Sequence, residues 1–200
     1  MATRTHAREV VSQLLYAYGS GNDGILKFME EILNEQKIKN AQGEFAKALF
    51  NGVLEHLEEV DLRIKHQIKN WDFERIGDME RAILRLGAYE IIFCKTDKAI
   101  VINEALEITK NFSNEASTKF INGILDGIAK NATLSVDSIK EAFQKRIQNL
   151  QSIPQHRDVK KAPKKLESKN MESKGFKNHK KRSHKSLRAN KTSTFKRVEK

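Results

Sequence analysis

Residues 100–128, IVINEALEITKNFSNEASTKFINGILDGI, decide how this chain is read. Two helical stripes run through the stretch. Ile102, Ala105, Leu106, Thr109 and Phe112 recur at spacings of three and four, and so do Ile121, Ile124, Leu125 and Ile128. Between them, Ser113-Asn114-Glu115 supplies a side-chain oxygen for an N-cap and an acid for the first turn of the second helix. The spacing therefore predicts two amphipathic helices joined by a tight polar break.

The same periodicity extends outward. Residues 5–18 predict a first helix with Val10, Val11, Leu14, Leu15 and Tyr18 inward, ended by Gly19-Ser20-Gly21. Asp23 is placed to cap a second helix through about Asn34, burying Ile25, Phe28, Met29 and Ile32. From about Gly43 to Lys69, the positions Phe45, Leu49, Val53, Leu57, Val60, Ile64 and Ile68 predict one long helix. Gly52 within it costs about 1 kcal/mol relative to Ala and so marks a close helix contact. Trp71 falls in a turn, and Asp72 caps a short helix. Asp78 opens a helix whose two apolar sides, Met79/Ile83/Leu86 and Leu84/Ala88/Ile91, imply a central position. Past Asn131, Val136, Ile139, Phe143, Ile147 and Leu150 predict a further amphipathic helix over 135–150, with Ser138 and Glu141 as a capping box.

Composition agrees with an all-α fold. Only two prolines occur, Pro154 and Pro163, so some 150 residues contain no helix breaker. Residues 151–200 carry 17 Lys/Arg against 4 Asp/Glu, a net of +13, whereas the whole chain is +11 and residues 1–150 are −2. The basic character thus belongs to the last quarter, where large hydrophobes almost vanish, and that composition predicts a disordered Lys-rich tail over 153–200. A single cysteine, Cys94, forms no internal disulfide and reads as a packing residue at the end of an apolar helix. The N-terminus lacks an apolar signal core, and no run reaches membrane-spanning length, so a cytoplasmic protein without a membrane partner is expected.

Enzyme chemistry finds no foothold. The nine glycines before residue 130 fall singly or in turns, with no phosphate-cradling loop. His6, His56 and His66 have no neighbours at metal-ligand spacing, and one cysteine cannot build a zinc site. No catalytic residue, metal or cofactor is expected. Binding chemistry has more support. Arg4, His6 and Arg8 gather at the start of the first helix, either as phosphate contacts or as a solubilising helix start. Lys119-Phe120 sets a cation beside an aromatic that either stacks on an unpaired base or packs in the core. Tyr16 reads as a rim aromatic and Glu80 as a first-turn acid. Arg81 and Arg85 are placed to hold either Glu80 or a phosphate.

Three blocks go beyond periodicity. INEALEITKNF (102–112) followed by KFINGILDGI (119–128), ERAILRLGAYEI (80–91) and AREVVSQLLY (7–16) resemble the NusB family of bacterial transcription antitermination factors. The resemblance implies two small packed helical subdomains over residues 1–131, without catalysis. It implies that Arg4, His6, Arg8, Lys119 and Phe120 lie on the surface that binds boxA, a single-stranded element of ribosomal leader RNA. It also implies that Tyr16 and Glu80 meet NusE, a small-subunit ribosomal protein, within the RNA polymerase antitermination complex. Thr5 and His6 depart from the longer basic run common in the family. The segments 132–152 and 153–200 are additions to the pattern. A different reading is a protein-interaction adaptor whose RNA affinity is non-specific and comes mainly from the tail. The helical module is also similar to the N-terminal part of some ribosomal RNA methyltransferases, but no cofactor-binding motif accompanies it here.

Overall fold

The computed structural model describes residues 3–68 and 72–151, and these are all helix, turn and loop. Eight α-helices follow one another: α1 (Arg4–Gly19), α2 (Ile25–Glu35), α3 (Ala41–Glu55), α4 (Leu57–Gln67), α5 (Asp78–Ile92), α6 (Lys98–Phe112), α7 (Glu115–Lys130) and α8 (Val136–Gln151), with a single 3-10 turn at Phe73–Arg75 among the described residues. Trp71 and the tail expectation for 153–200 lie outside the described residues. Among the described residues, no helix is long and apolar enough to cross a membrane.

The central helix is α5, which packs on α1, α3, α4, α6 and α7. It contributes to two apolar clusters. Ala82 and Leu86 join Val10, Val11, Leu14, Leu15, Leu49, Phe50 and Val53 on one side. Ile83, Leu84, Ala88 and Ile91 join Ile64, Val101, Ile108, Ile121, Leu125 and Ile128 on the other. The central position expected for α5 holds, but the sides divide differently: Met79 and Ile83 face the same cluster as Leu84, Ala88 and Ile91, and Leu86 joins Ala82 on the other.

Local chemistry sets most boundaries. Thr3 caps α1 by accepting from the His6 amide (3.1 Å), and Gly21 turns the chain at φ +90°. Asp72 accepts from Glu74 N, Asp97 from Ala99 N and Asn114 from Ser117 N, so the expected Asp72 cap is present and the cap expected from Ser113-Asn114-Glu115 is Asn114. Gly52 sits against Tyr89, whose hydroxyl would lie 2.0 Å from any β-carbon placed there, so the close contact it marks is α3 on α5.

Several expectations need correction. The single helix over 43–69 is broken at His56, which leaves helical geometry and stacks its ring on Phe93 (centroids 4.0 Å, 15° between planes). α2 begins with Gly24 as N-cap and no side-chain cap, so Asp23 does not cap it. Its buried residue is Leu33, while Phe28 is 54% exposed. On α6 the inward face is Val101, Ala105, Ile108 and Thr109, which rotates Phe112 outward to 42% exposure. α8 is capped by Ser135, whose hydroxyl accepts from the Ser138 amide (3.2 Å), rather than by Ser138 with Glu141. It packs on α4 through Ile139. Cys94 lies just beyond α5 and is exposed, so it is not a packing residue.

Candidate nucleic-acid interface

The residues expected to bind RNA fall into two groups near opposite ends of α5. Arg8 meets Glu90 in the last turns of α5, whereas Phe120 shares a hollow with Glu80 in its first turn. Ten helical residues separate those two glutamates, roughly 15 Å along the axis.

At the first end the sequence supplied a cluster of cations, and folding divides their labour. Arg4 is exposed, its guanidinium carbon 4.9 Å from the centre of the Phe45 ring. His6 is half-buried and donates from Nε2 to the Gln36 carbonyl (3.2 Å), with Nδ1 3.9 Å from Glu9. Arg8 is different. Only 5% exposed, it donates from Nε and Nη2 to both carboxylate oxygens of Glu90 (2.9 and 2.8 Å), and Nη1 lies 3.4 Å from Glu104. Glu104 in turn accepts from the Thr5 hydroxyl (3.2 Å). Burial opposes the charge on Arg8, yet hydrogen bonding and attraction to Glu90, with Glu104 behind, push its guanidinium above its already high ordinary pKa. The expectation that Arg8 is exposed is therefore corrected: its donors are committed inside the protein.

At the second end, Arg75, Ile76, Gly77, Glu80, Asn114, Ala116, Ser117 and Phe120 line one open hollow between the starts of α5 and α7. Phe120 is half-buried, one side packed on the larger apolar cluster. Lys119 beside it points to solvent and pairs with Glu115 (2.9 Å), an exposed i,i+4 pair that restrains it little. The Glu80 carboxylate accepts from the hydroxyls of Ser113 and Ser117 (2.5 and 2.8 Å). Burial raises its pKa, but the two hydroxyls and its own backbone amide outweigh that and hold it below the usual carboxylate range. Gly77 makes room for it, since a β-carbon there would meet Glu80 Oε2 at 2.3 Å.

The pairing of Arg81 and Arg85 is settled by the fold, and neither holds Glu80. Arg85 forms a two-bond pair with Asp61 (both 2.8 Å), and Arg81 pairs with Asp78 and Glu74. Tyr16 is 44% exposed on the last turn of α1, one turn before Gly19, whose backbone approaches Arg85. Glu90, Glu104, Ser113, Ser117 and Arg75 were not singled out by sequence reasoning. For the first two a signal existed: Arg8 shares a helical face with Val11, Ser12 and Leu15, all buried, so a buried acid had to face it.

Comparison with known proteins gives first the class: residues 5–130 match the model of the NusB family. The chain is 56% identical over 128 residues to the transcription antitermination protein NusB of Wolinella succinogenes, covering 64% of this chain and 95% of that one. It is 53% identical over 133 residues to NusB of Helicobacter pylori strain P12, covering 66% and 96%. Among solved structures, NusB of T. maritima superposes with a TM-score of 0.61 at 32% identity, over 72% of this chain and 98% of that one. A crystal structure of antitermination factors NusB and NusE in complex with dsRNA superposes at 0.58 and 32% identity, over 64% and 96%. The chain belongs to the NusB family.

Proposed function

We propose that this chain is a transcription antitermination factor that binds boxA-like single-stranded leader RNA together with a NusE-type ribosomal protein, so that RNA polymerase reads through terminators in ribosomal RNA transcription in the cytoplasm. The observation that carries this reading is the exposed Lys119 beside the half-buried Phe120, which lines an open hollow together with Glu80. A half-buried ring stays in place without a ligand, which suits it to stack on an unpaired base, while Lys119 is long enough to reach a phosphate. Family membership and the neighbour solved with NusE and RNA support the same assignment.

The residues divide by role in this reading. Arg4, His6, Lys119 and Phe120 touch RNA; Tyr16 and the rim around Glu80 meet the protein partner; Arg8 acts indirectly by fixing the start of α1. No step in it is catalytic. The tail, residues 153–200, adds sequence-independent attraction for phosphates. The test is a titration of the full chain with a boxA oligomer and a scrambled one, with and without the NusE-type partner. The reading expects boxA preference that the partner strengthens. Equal binding of both oligomers, abolished by deleting 153–200, would establish instead the adaptor whose RNA affinity is mainly that of its tail.

A further inference from the structure

α8 lies beyond the family-matched segment 5–130 and packs along α4, reaching the end of that helix. Ile139, only 1% exposed, seats it on α4. Arg63 of α4 reaches the preceding loop, donating to the Leu134 carbonyl (3.3 Å) while paired with Glu59. Arg146 donates from Nη1 to the carbonyl of Ile68 (2.9 Å). Ile68 is the C-cap of α4, with extended backbone (φ −82°, ψ 102°). A helix end leaves carbonyls without intrahelical donors and carries partial negative charge, so a guanidinium is well matched to that position. The Ile68 side chain is itself buried with Phe73, Ile76 and Ile83. This residue is therefore gripped from two directions, by the core through its side chain and by α8 through its carbonyl.

The chain beyond Ile68 gives the grip its significance. Three residues separate it from Asp72, which caps the Phe73–Arg75 turn, and Arg75, Ile76 and Gly77 form one wall of the Phe120 hollow. We propose that Arg146 is a positioning residue for the RNA-binding hollow, holding the end of α4 so that the segment 72–77 keeps its place opposite Phe120. The role of the hollow rests on the function proposed above, whereas the grip itself does not. Arg146 touches no RNA in this scheme. Its effect reaches that segment through Ile68, whose side chain is buried in the same cluster as Phe73 and Ile76.

The experiment compares the full-length protein with Arg146→Ala and Arg146→Lys, using hydrogen exchange resolved along the chain and titration with boxA and scrambled oligomers. Arg146→Ala is expected to speed exchange across 72–77 about tenfold while α1 and α3 keep their rates, because only a local opening loses a charge-assisted bond. The ratio of boxA to scrambled affinity should fall about threefold or more, read at a salt concentration high enough to suppress non-specific binding by the tail. Arg146→Lys, which keeps a cationic donor, should restore both. Unchanged exchange over 72–77, acceleration spread evenly over every helix, or local acceleration with an unchanged affinity ratio would each overturn the proposal. A wild-type protein that does not prefer boxA would defeat the proposed function instead, and the exchange data would still decide whether Arg146 holds the segment.

Discussion

The two ends of α5 each bury an acid, and each neutralises it differently. Glu90 is 2% exposed and meets a full positive charge, Arg8, through hydrogen bonds from Nε and Nη2. Glu80 is half-buried and meets two hydroxyls, Ser113 and Ser117, with no cation on it among the described residues. A buried ion pair is expensive to break because the surviving partner is left charged in a poor solvent. A carboxylate at a half-open edge can recruit water when its hydroxyl donors go. The first end is thus built for rigidity. The second tolerates change and leaves room for a ligand.

That contrast is broken most severely by Glu90→Ala, which should destabilise the fold by about 3–5 kcal/mol, since Arg8 would remain buried and largely unpaired; a denaturant melt measures it. The paired change Arg8→Met with Glu90→Leu should recover most of that loss, and failure to recover would show that Glu104 and Thr5 depend on the ion pair. Next comes Phe120→Ala. If the ring stacks on a base, RNA affinity should fall by about 1–3 kcal/mol with a modest loss of stability. If its packing against the core dominates, stability should fall by about 3–5 kcal/mol instead, so the titration is read beside a melt. Smaller again is the double change Ser113→Ala with Ser117→Ala, expected to cost about 1–3 kcal/mol. It also removes the two hydroxyls that help lower the Glu80 pKa, leaving its backbone hydrogen bond. A depressed carboxylate adds stability above its unfolded pKa and loses it as pH falls through the folded one, so the double variant should lose less stability than wild type on acidification through that range. Arg4→Ala should change stability least, by no more than about 0.5 kcal/mol, while lowering the slope of the log–log salt plot for single-stranded RNA by about 0.7.

The same comparison separates what could be read in the sequence from what could not. α5 as the central helix, a cap within Ser113-Asn114-Glu115 and the close contact at Gly52 were all legible, because each is a local matter of period, cap or missing side chain. The fate of Arg8 was not, because its partner lies 82 residues away on another helix. Its face was legible; its partner was not. His56 escaped for a related reason: the apolar step from Val53 to Leu57 to Val60 runs unbroken through it, although the helix breaks there and the His56 ring stacks on Phe93. Glu80 looked like a helix-start acid and is one, but the serines that hold it come from the start of α7 and just before it.

Tyr89 carries one more consequence. Its ring packs against both apolar clusters at once, and its hydroxyl occupies the space that Gly52 leaves empty. The two subdomains thereby share a helix and, at this residue, a single side chain that cannot be satisfied by one of them alone. Neither half can melt without stripping a wall from the other, so heat should dissolve residues 3–130 in one cooperative step, with calorimetric and van't Hoff enthalpies in agreement.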